Sequence, residues 1–108
     1  MKATELGDFE ELVLMAICVI GSQAYAVNVK AELENRLQKR INISAIHTAL
    51  YRLEDKGFLK SEIGGATKER GGRRKRFFTP TAAGKGAIAK LKAVREGMYK
   101  LIPDISNG

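Results

Sequence analysis

Residues 42–58, NISAIHTALYRLEDKGF, carry the signals for both ends of one helix. Asn42 is among the residues most favoured as a helix N-cap, and Gly57 stands where a left-handed residue commonly ends a helix. Between them, four apolar residues recur on one helical face: Ile46, Ala49, Leu50 and Leu53. The stretch therefore predicts a helix over about residues 43–56, with one buried side and one polar side.

Apolar periodicity and turn residues place the other elements around this helix. They are a helix from Asp8 to Gly21, a helix over about 24–38, β-strands over 58–63 and 76–79, and a helix beginning near Thr81. We expect Asp8 to cap the first helix, with Glu11 three residues further on. The order of elements predicts a mainly α fold with a small β-hairpin (α+β), a winged helix-turn-helix with an added C-terminal dimerisation helix.

The charge of the chain indicates its class of partner. Its 108 residues carry a formal net charge of +7, which favours a polyanion. The one cysteine, Cys18, is expected to be buried, and the absence of a disulfide framework fits a reducing cytoplasm. Acids within residues 1–11 argue against a signal peptide, and no apolar run is long enough to span a membrane. A single histidine without paired cysteines gives no metal site, cofactor site or catalytic centre, so we expect no enzyme.

Two surfaces are candidates for contact with nucleic acid. The outer side of the helix over 43–56 would enter the major groove, through Ser44, His47, Thr48, Tyr51 and Arg52. The glycine-rich, basic segment over 64–76 would form a wing on the backbone or in the minor groove, through Lys68, Arg70, Arg73, Arg74 and Lys75. We expect one domain over 1–108, in which 8–80 form the winged helix-turn-helix DNA-binding core.

The first and last helices have more apolar surface than one small chain can cover. The first is apolar on every side over residues 12–20, and the last, over 81–102, has a heptad-like apolar seam. A symmetric dimer is the simplest source of cover. The predicted dimer contacts are Phe9, Val13, Ile17, Leu91, Val94, Met98 and Leu101.

Four stretches resemble the PadR-like transcriptional regulators, in the short form with a single C-terminal helix. They are LGDFEELVLMAI, QAYAVNVKAELE, AIHTALYRLEDKGFLKS and GGRRKRFFTPTAAG. The resemblance implies a homodimeric DNA-binding regulator, usually a repressor, whose first and last helices form the dimer. Two departures lie on the face predicted to read bases: His47-Thr48 replaces the usual Tyr-Thr, and Tyr51 replaces a polar or charged residue. Some members bind aromatic drugs through tryptophans of the last helix. This chain has no tryptophan, and its effector is unassigned.

Together these observations predict a sequence-specific transcriptional regulator that represses from a palindromic site on double-stranded DNA as a homodimer. The alternative is a non-specific architectural or RNA-binding winged helix, which would use the same basic surface without a preferred site. A third reading is a protein-interaction module that binds an acidic partner and has no affinity for a duplex.

Overall fold

The computed structural model describes residues 5–64 and 74–104, which form four helices and a two-stranded antiparallel sheet. The elements are α1 (Asp8–Ile20), α2 (Ala26–Leu37), α3 (Ile43–Asp55), β1 (Leu59–Gly64), β2 (Lys75–Pro80) and α4 (Ala82–Tyr99). This order confirms the predicted α+β winged-helix architecture. None of the helices in these two segments has the length and apolar character needed to cross a bilayer.

Both ends of helix α3 are formed by the residues that the sequence predicts. At its start, the side chain of Asn42 accepts a hydrogen bond from the Ser44 N–H at 3.0 Å. At its end, Gly57 adopts a left-handed φ of +84°. The Phe58 N–H then donates to the carbonyl of Leu53 at 2.9 Å, which closes a Schellman motif. Both ends therefore rest on local interactions within the quoted stretch.

The start of α1 differs from the prediction. Gly7, and not Asp8, is the N-cap, and the Gly7 N–H donates to the Glu10 carboxylate at 2.8 Å. The reciprocal acid is therefore Glu10 and not Glu11. A carboxylate three residues beyond the cap can reach back to the cap N–H, whichever side chain the cap residue has.

The core lies where α1 crosses α2 and α3. Its largest fully buried side chains are Leu14, Ile17, Ile46, Leu50, Leu53, Val13 and Val29. The sheet joins this core from one side, since Leu59 and Phe78 are buried in the same cluster. The Phe78 N–H also donates to the carbonyl of Ala24 at 2.9 Å, which ties β2 to the turn between α1 and α2.

Helix α4 lies against the turn that follows α3, at a glycine. A Cβ placed on Gly84 would lie 2.2 Å from the carbonyl oxygen of Phe58. Two hydrogen bonds hold the same junction: the Thr81 N–H donates to Phe58 O at 3.0 Å, and the Thr81 hydroxyl donates to Gly57 O at 2.6 Å. Thr81 also caps α4, as predicted, by accepting from the Gly84 N–H. The end of α3 and the start of α4 are therefore in backbone contact.

Candidate nucleic-acid interface

The outer side of α3 brings together the five residues that the sequence singled out. All five are exposed: Ser44, His47, Thr48, Tyr51 and Arg52. The opposite side of the helix sets its rotation, because Ile46, Leu50 and Leu53 are completely buried. These apolar anchors leave the polar face projecting from the domain as one surface.

Three side chains on this surface are ordered by contacts with their neighbours. The rings of His47 and Tyr51 stack one helical turn apart, with centroids at 6.3 Å and planes at 26°. The Ser44 hydroxyl donates to the side chain of Asn42 at 2.9 Å. Because a hydroxyl has one proton to donate, Ser44 in this arrangement can accept a hydrogen bond from a base but cannot donate one to a phosphate.

The described part of the wing presents a cluster of basic residues beside α2. Arg74, Lys75 and Arg76 are exposed. The Lys75 ammonium lies 4.5 Å from the centre of the Tyr25 ring, and Tyr25 makes an edge-to-face contact with Phe77 at 5.9 Å. The cation–π contact and the aromatic pair fasten the returning strand to the start of α2. The other three predicted wing contacts lie outside the described residues: Lys68, Arg70 and Arg73.

A chain of two hydrogen bonds through Glu54, Ser61 and Arg76, here called the relay, joins α3 to the wing. No sequence pattern predicted it. The Ser61 hydroxyl on β1 donates to the Glu54 carboxylate on α3 at 2.7 Å. The Arg76 guanidinium on β2 donates in turn to the Ser61 oxygen at 3.0 Å. Ser61 is thus donor on one side and acceptor on the other, which a single hydroxyl satisfies.

Side-chain bonds from the neighbouring helices hold both ends of α3. At the start, the Ile41 N–H donates to the Glu34 carboxylate of α2 at 2.8 Å, and this bond lowers the pKa of Glu34. At the end, the Lys56 ammonium bonds the Glu10 carboxylate of α1 and the carbonyl of Glu5, each at 2.6 Å. The Lys56–Glu10 pair could not be predicted from a local sequence pattern, because the two residues are 46 positions apart in the chain.

The Glu10–Lys56 pair is shielded from solvent, with side chains 9% and 12% exposed. Burial alone would raise the pKa of Glu10. The hydrogen bond from Gly7 and the neighbouring Lys56 ammonium outweigh it, so that the pKa is lower than the usual value. The carboxylate is therefore stabilised in its charged form.

The residues predicted to form a dimer fall into three groups by their exposure. Val13 and Ile17 are 0% exposed within the chain's own core. Their contact with a second subunit stays a prediction, and the dimer surface proposed below does not use them. Phe9 and Leu91 are half-buried. The other three are exposed on or just beyond α4: Val94 at 52%, Met98 at 59% and Leu101 at 82%.

The exposed side of α1 is different from the one expected. Val19 is 60% exposed, and Cys18 is exposed although it was predicted to be buried. Partial burial nevertheless raises the pKa of the Cys18 thiol. The thiol is therefore a weaker nucleophile at neutral pH than an ordinary cysteine. Within residues 5–64 and 74–104, no group of three or more His, Cys, Asp or Glu side chains is placed to hold a metal ion.

A family model supplies the decisive comparison: that of the PadR-like transcriptional regulators matches residues 15–90. The chain belongs to this family. Its members are transcriptional regulators that bind DNA, and the winged-helix fold described above supports the same general role for this PadR-like protein. No curated protein sequence matches the chain.

Solved structures agree on the fold. A transcriptional regulator from Clostridium thermocellum has a TM-score of 0.68 at 20% identity, over 91% of this chain and 92% of that one. A PadR-like transcription factor from Bacteroides fragilis has a TM-score of 0.71 at 16% identity, over 91% and 89%. RosR of H. salinarum has a TM-score of 0.63 at 20% identity, over 93% and 81%. At these identities the likeness speaks for the fold alone.

Proposed function

We propose that this PadR-like protein is a sequence-specific repressor that binds a palindromic operator as a homodimer, in the cytoplasm where its DNA lies. Helix α3 would enter the major groove, and the wing over 64–76 would follow the backbone or the minor groove. The observation that carries the proposal is the polar outer face of α3. All five of its predicted contact residues are exposed, whereas the apolar residues of the opposite face are buried, and the cations of the wing lie on the chain segment that α3 leads into.

The side chains on the α3 face include several groups that can contact the edges of bases in the major groove. Arg52 has the donors that suit guanine or a phosphate, and Thr48 suits a base edge or a thymine methyl. Tyr51 has a large exposed ring for apolar contact, held in place by its stack on His47. Asp55 would repel phosphate, so the end of the helix is expected to leave the groove.

Exposed apolar groups on α4 support the dimer. Val94 and Met98 on α4, and Leu101 just beyond its end, are three exposed apolar side chains. A groove of about 630 Å³ lies beside Val94, and Leu91 and Leu6 contribute to its walls. A second copy of the chain, related by a twofold axis, would cover these side chains and place two α3 helices on successive half-sites.

The runner-up function is non-specific binding of DNA or RNA. It is favoured by the scarcity of strong base readers on α3, where Arg52 is the single long cation among the predicted contacts. The two functions differ in one measurable respect. Electrostatic binding to phosphates weakens steeply with salt for every sequence, whereas a specific site keeps a preference when the salt is raised.

Fluorescence anisotropy tests the choice. The probe is a labelled duplex from upstream of the protein's own gene, titrated at two salt concentrations against a scrambled duplex. We expect a preference for the native fragment that survives at the higher salt, and selection from genomic fragments would supply the site if the operator lies elsewhere. Binding of equal strength to every fragment, including the selected ones, would contradict specific regulation and favour the runner-up.

Two substitutions distinguish contacts to the phosphate backbone from contacts to the bases. Arg74→Ala should weaken binding to all duplexes alike and lower the slope of log K against log salt by about one. Thr48→Val should instead change the order of preference among operator variants. Lys92→Ala, which removes an exposed cation of α4 outside the proposed surface, is the matched control and should leave both properties unchanged.

A further inference from the structure

The relay from α3 to the wing has a consequence for how DNA is held. We infer that Arg76 is a further DNA-contacting residue, whose guanidinium binds a backbone phosphate, and that Glu54 and Ser61 position it for this contact. The inference rests on the proposed function and deepens it. The recognition helix and the Arg76 end of β2 would then meet the duplex in a fixed relative position.

The position of Arg76 on the sheet is the first support. In the β1–β2 register, Ser61 lies opposite Phe78 and Ile63 lies opposite Arg76. Opposed residues share a face of the sheet, and so do residues two apart on one strand. Arg76 therefore lies on the face that meets α3, further from the core than the buried Phe78, and towards the tip of the wing.

The chemistry of the guanidinium is the second support. Arg76 is exposed, and its bond to Ser61 uses one donor. A guanidinium carries five N–H donors in a rigid fork that suits phosphate oxygens. One bond can therefore orient the group and leave donors for a polyanion.

The direction of the hydrogen bonds is the third support. The Ser61 proton is committed to Glu54, so the oxygen lone pairs of Ser61 face Arg76. The Glu54 carboxylate thus fixes which way the hydroxyl points, and the hydroxyl fixes the guanidinium. Holding a long side chain in its binding geometry beforehand removes part of the ordering cost that binding otherwise imposes. Glu54 and Ser61 are positioning residues in this sense, because neither needs to touch DNA.

Two substitutions at Ser61 that match each other in shape isolate the positioning effect. Both add a methyl group, but Ser61→Thr keeps the hydroxyl and Ser61→Val lacks it. Both are β-branched residues that a strand accepts. We expect Ser61→Thr to bind the duplex like the parent and Ser61→Val to bind about 2- to 12-fold more weakly. Melting temperatures of the two variants, measured alongside, show whether the hydroxyl also matters to stability.

The contact itself is tested by Arg76→Ala. We expect weaker binding to every duplex and a salt slope lower by about one, as for a lost phosphate contact. The decisive step combines the two positions. In the Arg76→Ala background, Ser61→Thr and Ser61→Val should bind alike, because there is no guanidinium left to position. In an Arg74→Ala background, the difference between them should persist.

Each outcome has a distinct meaning. An unchanged salt slope for Arg76→Ala would overturn the contact. A Thr–Val difference that survives in the Arg76→Ala background would overturn the positioning role, since the hydroxyl would then act through something else. Both results leave the proposed regulator standing, provided that the parent binds its site. A parent protein that binds no duplex at all would remove the proposed function and this inference together.

Discussion

Gly84→Ala offers a sharp test of how the C-terminal helix is joined to the DNA-binding core. Alanine is the best helix former, and replacing an exposed helical glycine with it stabilises a protein by about 1 kcal/mol. At this position, however, the new Cβ would lie 2.2 Å from Phe58 O. The contact must lengthen to at least 3.0 Å, and the neighbour is backbone, which has no flexible end to move aside.

The expected loss of stability follows from the interactions that are weakened when α4 moves away from Phe58. Moving α4 away from Phe58 stretches the two hydrogen bonds of Thr81 that hold the junction. Overpacking costs about 1–3 kcal/mol, and loss of a cap or junction bond costs about 1 kcal/mol more. After the gain in helix propensity, we expect a net loss of about 2 kcal/mol. For a chain of this size that is a fall in Tm of about 10 °C.

Two other glycines of the same helix are matched controls. A Cβ on Gly86 or on Gly97 would meet nothing within 4 Å. Gly86→Ala and Gly97→Ala should therefore raise Tm by a few degrees, from propensity alone. The assay is thermal unfolding by circular dichroism at one fixed protein concentration, because dimerisation would make Tm depend on concentration. If Gly84→Ala melted at or above the parent temperature, the close approach of α4 to the end of α3 would be refuted.

Other predictions concern the buried ion pair and the dimer. Lys56→Met leaves the Glu10 carboxylate buried without its cation and should cost about 3–5 kcal/mol in urea unfolding. Because the pKa of Glu10 is lowered on folding, its contribution is full above the unfolded-state pKa and is lost as the pH falls through the lower folded-state value. Glu10→Gln should therefore flatten the acid limb of stability against pH, and an unchanged acid limb would contradict this. Met98→Glu should convert a dimer to monomers in sedimentation velocity, with Lys92→Glu as the control that stays dimeric.

The predictable parts of the fold are those whose causes are local. Asn42 and Gly57 mark the two ends of α3 within residues 42–58. The spacing of apolar residues by three or four positions between them determines which side of the helix is buried. The identity of the exposed side chains, which we propose to contact DNA, follows from that rotation without further information. Thr81 marks the start of α4 in the same way, by a cap bond to a residue three positions away.

Helix α1 shows where local reasoning stops. A helix that is apolar on every side is expected to be buried on all sides, but its sequence does not show which element or subunit packs against each side. Val13 and Ile17 turned out to be covered by the chain itself, and Val19 and Cys18 are uncovered. The relay through Ser61 was hidden for a related reason. Its three members come from three elements, and a serine in a strand carries no signal of what its hydroxyl meets.

Two tertiary ion pairs that the sequence pattern did not indicate share helix α1. Its adjacent residues Glu10 and Glu11 bind different helices: Glu10 binds Lys56 at the end of α3, and Glu11 binds Arg95 of α4 at 2.7 Å. Both carboxylates are less than 10% exposed, so each bond is expensive to leave unmade.

In the proposed dimer, α4 sets the position of the partner and α3 sets the position of the half-site. The spacing between the two recognition helices must match about one turn of B-DNA, 34–36 Å. That spacing would then depend on two connections between α3 and α4: the backbone junction at Gly84 and the two ion pairs of α1. A change that loosens the Glu11–Arg95 bond but leaves the α3 surface intact should therefore alter which half-site spacing is preferred, while the base sequence preferred within each half-site stays the same.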